Sequence, residues 1–131
     1  MINIALDGPA GAGKSWLAHT LAEKLGFIHV DTGALYRSIG LYMSRRGIAP
    51  EDKAAFVPAL DGLTVELGFE DGAQRVYLCG EDVTGLIRTP DISMYASAFS
   101  SVPEVRTFLL ETQRRLAREN NVIMDGRDIG T

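Results

Sequence analysis

Residues 8–15, Gly8-Pro9-Ala10-Gly11-Ala12-Gly13-Lys14-Ser15, constrain this chain more than any other stretch. They follow "INIAL" (2–6), a short apolar run that reads as a buried strand. They precede 14–25, where Leu17, Leu21, Ala22 and Leu25 recur at helical spacing and Gly26 supplies a stop. The spacing is G-x-x-x-x-G-K-[ST]. A loop that wraps phosphate groups must turn several backbone N–H groups inward, with unusual dihedrals and close approach, and glycine permits both. The helix that follows adds unpaired N–H groups and the positive end of its dipole. Lys14 can reach β- and γ-phosphates as a point charge, and the Ser15 hydroxyl suits Mg²⁺. A glycine-rich turn that merely joins strand to helix would share the composition. The flanking strand and helix select phosphate binding instead, and with it a nucleotide such as ATP or GTP. Trp16, in the first turn, admits stacking on a flat ligand or packing at the helix start; an aromatic beside a loop mostly contributes area, which favours packing.

A second strand at 27–30, "FIHV", completes strand–helix–strand in thirty residues, which implies a βαβ unit and a parallel sheet. Thr32 is a possible cap for a helix to about Arg46, with Leu35, Ile39 and Tyr42 or Met43 on one face. "GIAPED" breaks it, and 51–60 reads as a short helix. Alternation then takes over in "LTVELGFEDGAQRVYLCGEDVT", a β-hairpin signal around Asp71-Gly72 with room for a bulge. Because it interrupts an α/β pattern, 61–100 reads as a small inserted module. A helix at 105–119 follows, with Leu109, Leu110 and Leu116 inward, and then a strand at 121–124.

At 131 residues and 46% apolar, the chain is long and apolar enough for one domain with a real core. No apolar run nears the ~20 residues of a membrane span, and 1–8 does not read as a signal peptide. A single cysteine, Cys79, excludes an internal disulfide and fits a reducing compartment, so the expected location is the cytoplasm. The net charge of −4 argues against a nucleic-acid polymer as partner.

Two further stretches reach the strand ends where open parallel sheets collect ligands. In "VDTGALYRS", Thr32 and Arg37 either face a molecule beside the γ-phosphate or act as a cap and a solvated helix cation. In "MDGRDIGT", Arg127 suits a phosphate and Asp128 a base or ribose, while Asp125 resembles an acid placed near Mg²⁺ through water. The alternative there is a tight turn rich in Gly and Asp. Arg88, Arg106, Arg114, Arg115 and Arg118 are further cations; isolated helix arginines are usually solvated.

Taken together, "DGPAGAGKS", "DTGALYR", "GEDVTGLIRTPDIS", "SSVPEVRTFLLETQRRLA" and "MDGRDIGT" resemble the bacterial cytidylate kinase family, within the nucleoside-monophosphate kinases. The resemblance covers nearly the whole chain in order and spacing. It implies a P-loop three-layer α/β/α fold with a parallel core (1–60 and 101–131) and an inserted monophosphate-binding module with a hairpin (61–100). It implies transfer of the γ-phosphoryl group of ATP to CMP or dCMP with Mg²⁺, so that the partners are small nucleotides; the expected state is a monomer, with neither nucleic acid nor membrane as partner. ATP would be held by Gly8, Pro9, Ala10, Gly11, Ala12, Gly13, Lys14, Ser15 and Trp16. CMP would be held by Thr32, Arg37, Arg88, Ser97, Arg106, Arg127 and Asp128. Lys14, Arg37 and Arg127 would serve catalysis, and Ser15, with Asp125 through water, would serve Mg²⁺.

Two departures qualify the resemblance. Trp16 stands where the family usually has Thr. Similar proteins continue past position 131 with further strands, an arginine-bearing lid and a helix, so the expectation is an N-terminal fragment lacking lid and last strands. Such a fragment would have weak activity or none, since water is not excluded. The rival readings are a lidless module that binds nucleotide without catalysis, and a kinase of another small acceptor such as UMP. A GTPase would want N-K-x-D, which does not occur.

Overall fold

A computed structural model describes residues 2–6, 12–70 and 73–125; the side chains of Ala5, Leu6, 12–16, Phe69, Ala73 and Asp125 lie outside that description. The chain runs β1 (Asn3–Leu6), α1 (Ala12–Leu25), β2 (Ile28–Val30), α2 (Thr32–Arg45), α3 (Lys53–Leu60), β3 (Val65–Glu70) and β4 (Ala73–Leu78). It continues through β5 (Glu81–Asp82), a 3₁₀ turn (Leu86–Arg88), α4 (Pro90–Phe99), α5 (Pro103–Glu119) and β6 (Val122–Asp125).

The expected parallel sheet is present, in the order β1-β6-β2. The last strand in sequence thus lies between the first two. Leu6 and Val30 end their strands level with Asp125 and Met124 of β6. Asn121 ties the opposite edge: its carbonyl accepts from Ile28 N at 2.9 Å and its Oδ1 from Ile2 N at 2.8 Å. Alternation along β6 sends Ile123 to one face and Val122 and Met124 to the other, and all three are buried. Ile123 meets Ala18 and Ala22 of α1, while Val122 and Met124 join the larger core, which holds α2, α5 and the second sheet. Helices on both faces of a parallel sheet are the α/β/α layering that the sequence implies.

Helix α1 begins earlier than expected and turns a different strip inward. Its buried positions are Ala18 and Ala22, with Leu21 partly buried beside them, while Leu17 and Leu25 are 42% and 50% exposed. Alanines let a helix settle close to a sheet, and the contact stripe shifts by one residue from the leucine ladder. Gly26, at φ +70°, ends the helix as anticipated.

The second sheet is antiparallel, β3-β4-β5, with an unbroken β3–β4 register from Val65–Leu78 to Glu70–Ala73 and no bulge among those pairs. Three elements here were not expected: β5, the 3₁₀ turn and α4. The signals for α4 were legible, since Thr89 caps it by accepting from Ile92 N and Pro90 opens its first turn. Helix α4 packs along α2, and Phe99 meets Phe56 edge-on at 5.4 Å between ring centres. The contact is close at Gly40, where a Cβ would lie 3.1 Å from the Ala96 backbone. Leu110 is only partly buried; Val105, Leu109 and Leu116 form the inward line of α5.

Gly40→Val should therefore cost about 1–3 kcal/mol in urea denaturation, because α4 must move off α2. An unchanged midpoint would show that the helices are not held at this spacing.

Candidate functional site

The carboxyl ends of β1, β6 and β2 share one sheet edge, and α1 and α2 both begin there. Their N-termini direct unpaired N–H groups and positive dipole ends toward that edge. Asp31 caps α2: its Oδ1 accepts from Gly33 N at 2.9 Å. This corrects the reading of Thr32 as cap; Thr32 is the first helical residue, and the Asp31 carboxylate before it reaches the N–H of the second helical residue, Gly33.

Arg37 stands on the next turn of α2. Its Nη2 lies 3.8 Å from Asp31 Oδ2, its side chain is 30% exposed, and its Nε is buried without a partner among the described residues. A Cβ on Gly33 would come within 2.9 Å of Arg37 Nη1, so the bare glycine leaves space for the guanidinium. Arg37 and Asp31 line a cavity of about 120 Å³, and Arg88 reaches the same cavity from the 3₁₀ turn. His19, His29, Gln74 and Thr84 are the other polar side chains of its wall. Two arginines thus line one cavity together with Asp31 and Ala34 at the start of α2.

Thr84 organises the Arg88 side. Its hydroxyl accepts from Val76 N at 2.8 Å and donates to Asp82 Oδ1 at 2.6 Å, and its N–H donates to the same oxygen at 3.0 Å. The Thr84 hydroxyl, then its N–H, holds the Asp82 carboxyl below the ordinary aspartate range; desolvation opposes this and Arg75, 3.7 Å away, adds to it. Because the folded value is depressed, the stabilisation is present above the ordinary aspartate pKa and lost as pH falls through the folded one.

The remaining expected residues divide. Arg106 is exposed on α5 and lines a separate groove of about 330 Å³ with Tyr36 and Gln113. Ser97 is exposed on α4 and lines neither space. Ala12, Gly13, Lys14, Ser15 and Trp16 form the first turn of α1, and Asp125 ends β6; only their backbones are described. Gly8, Pro9, Ala10, Gly11, Arg127 and Asp128 lie outside the described residues. Arg115 is not a solvated cation: it bridges Glu66 Oε1 and Val65 O, both at 2.6 Å, and ties α5 to β3. Sequence reasoning missed His19, His29, Gln74 and Thr84. Only Thr84 carried a signal, two residues after an aspartate in a turn.

Among the described residues, no three His, Cys, Asp or Glu side chains are grouped to hold a metal, and no helix is long and apolar enough to cross a membrane.

The sequence profile of the cytidylate kinase family matches residues 4–131. The chain belongs to the cytidylate kinase family. It is 52% identical over 130 residues to the cytidylate kinase of Caldicellulosiruptor bescii, covering 99% of this chain and 58% of that protein. It is 50% identical over 129 residues to that of Symbiobacterium thermophilum, covering 98% and 57%, and 49% identical over 128 residues to that of Geobacter sulfurreducens, covering 98% and 55%. The chain thus spans little more than half the length of these relatives.

The Asp31 contacts yield a stability prediction. Asp31→Ala should lose about 0.5–2 kcal/mol by removing the cap. Asp31→Asn, which keeps an accepting oxygen, should stay within about 0.5 kcal/mol of the parent, since a half-exposed ion pair contributes little. Urea denaturation of both variants decides; equal losses would assign the stabilisation to the charge.

Proposed function

We propose that this chain forms the donor-phosphate and acceptor-binding part of a kinase that moves the γ-phosphoryl group of ATP to CMP or dCMP. The observation that carries the reading is the convergence of Arg37 and Arg88 on one cavity, at the sheet edge where α1 begins within the Gly8–Ser15 motif. An acceptor that is itself a phosphate needs cations beside its oxygens and no strong base. One acceptor oxygen attacks the γ-phosphorus as the bond to the β-phosphate oxygen breaks, and ADP leaves. The transition state is loose and rich in charge, so positioning and electrostatics dominate.

Within this reading, Lys14 and the amides of residues 8–15 hold the ATP phosphates, with Trp16 at the first helical turn. Arg37, Arg88 and Arg127 grip the acceptor phosphate, and Thr32, Ser97, Arg106 and Asp128 address cytosine and ribose. The donor types at the edge fit Mg²⁺: Ser15 and Asp125 offer hard oxygens, and Asp125 ends β6 level with the strand that leads into the motif. Mg²⁺ when bound would neutralise charge on the phosphates. Residues 61–100 serve as the monophosphate-binding module of a cytoplasmic, monomeric enzyme.

The chain spans little more than half the length of these relatives, and we infer that residues 1–131, tested by themselves, bind nucleotide and turn over weakly or not at all. The test measures ADP formation from Mg-ATP with CMP, dCMP, UMP or no acceptor. Folded chain should show no CMP-dependent ADP above a trace. Substantial CMP-dependent ADP would sink the inference of weak turnover, and ADP formed equally without acceptor would indicate an ATPase and sink the kinase reading. In titrations, Arg37→Met should weaken CMP binding tenfold or more and leave ATP binding within twofold. Equal loss of both nucleotides would place Arg37 outside the acceptor site.

A further inference from the structure

Arg37 and Arg88 approach their shared cavity from different parts of the fold. Arg37 rides on α2, which starts directly after β2 of the parallel sheet. Arg88 ends a 3₁₀ turn that hangs from the antiparallel sheet: Val83 N donates to Val76 O at 2.9 Å, and Ile87 N donates to Val83 O at 3.1 Å. Two arginines grip one phosphate only if the spacing between these supports is fixed.

A side chain spans that gap. Gln74 on β4 accepts from His29 N through Oε1 at 2.8 Å and donates through Nε2 to His29 O at 2.6 Å. Strand β2 pairs with β6 along one edge; on the other edge the Gln74 amide supplies one donor and one acceptor, as a neighbouring strand would. His29 is 8% exposed, so its backbone groups are worth satisfying. From His29 the chain leads two residues on to Asp31, which caps α2 and faces Arg37. From Gln74 it leads two residues on to Val76, bonded to Thr84 and Val83 below Arg88. Gln74 also lines the cavity itself.

We propose that Gln74 is a positioning residue of the acceptor site: its amide clips β4 to β2 and thereby sets the spacing between Arg37 and Arg88. The inference rests on the reading of this cavity as the acceptor-phosphate site. The chemistry is particular to an amide at this length. Glutamate lacks the N–H that His29 O accepts, and methionine fills the space but bonds neither group. With the clip lost, the two supports sample wider spacings, and apparent affinity falls with the fraction of molecules at the gripping distance. The hairpin keeps a larger tie, the burial of Val65, Leu67, Val76 and Leu78 in the core shared with α2 and α5, so a variant retains its fold.

The experiment is calorimetric titration of the 131-residue chain and its Gln74→Met and Gln74→Glu variants with CMP and, separately, Mg-ATP, alongside thermal melts. Gln74→Met should bind CMP at least fivefold more weakly with ATP affinity within twofold, and Gln74→Glu should be no better. A purely structural role would move the melt, or both affinities together. CMP affinity within twofold of the parent, parallel loss of both nucleotides, or an unfolded Gln74→Met chain each overturns the proposal. A parent chain that binds Mg-ATP and no CMP overturns the acceptor-site reading as well, and is distinct from a failure of the clip alone.

Discussion

The candidate site depends on one constraint, the insertion of β6 between β1 and β2. Among the described residues the two outer strands do not pair with each other; each bonds to β6 in parallel register. That arrangement brings the carboxyl ends of all three to one edge, and it is only because they share an edge that α1 and α2 present their N-termini to a common space. The burial of Val122, Ile123 and Met124 on alternating faces makes β6 the joint between the layer with α1 and the layer with α2 and α5.

Electrostatics at this edge follow from the architecture. Two helix N-termini and two arginines gather on the carboxyl side of the sheet, in a chain whose net charge is −4. Positive potential is therefore local. Among the described residues Asp31 is the acid that faces Arg37, and its Oδ1 is already engaged as the cap of α2. Such a group restrains the arginine without a short ion pair, and leaves the guanidinium able to exchange it for a bidentate phosphate.

Much of this was legible before any coordinates. The βαβ unit and the antiparallel pairing of β3 with β4 each rest on a local rule, and local rules read well in sequence; most of the glycine-rich loop and the Asp71-Gly72 turn lie outside the described residues. The misses share a cause, which is that tertiary contacts decided them. Leu17 and Leu25 obey helical periodicity, yet the smaller Ala18 and Ala22 face the sheet. Thr32 is a good capping residue, but Asp31 precedes it and takes the role. Arg115 reads as a surface cation until β3 is found beside it. Gln74 sits in an alternating strand with nothing to mark it, and gains meaning from an edge of β2 that lies 45 residues earlier in the chain.

The central position of β6 also bears on the order of events when the chain is made. Until residues 122–125 leave the ribosome, β1 and β2 have no strand between them and the edge that gathers the helices does not exist. At roughly 5–20 residues per second, the interval between the synthesis of β2 and that of β6 is on the order of 5–20 s. The antiparallel sheet and α4 lie earlier in the chain and close through local pairings, so the hairpin that carries Gln74 is synthesised in advance of β6, the strand that assembles the sheet whose edge it completes.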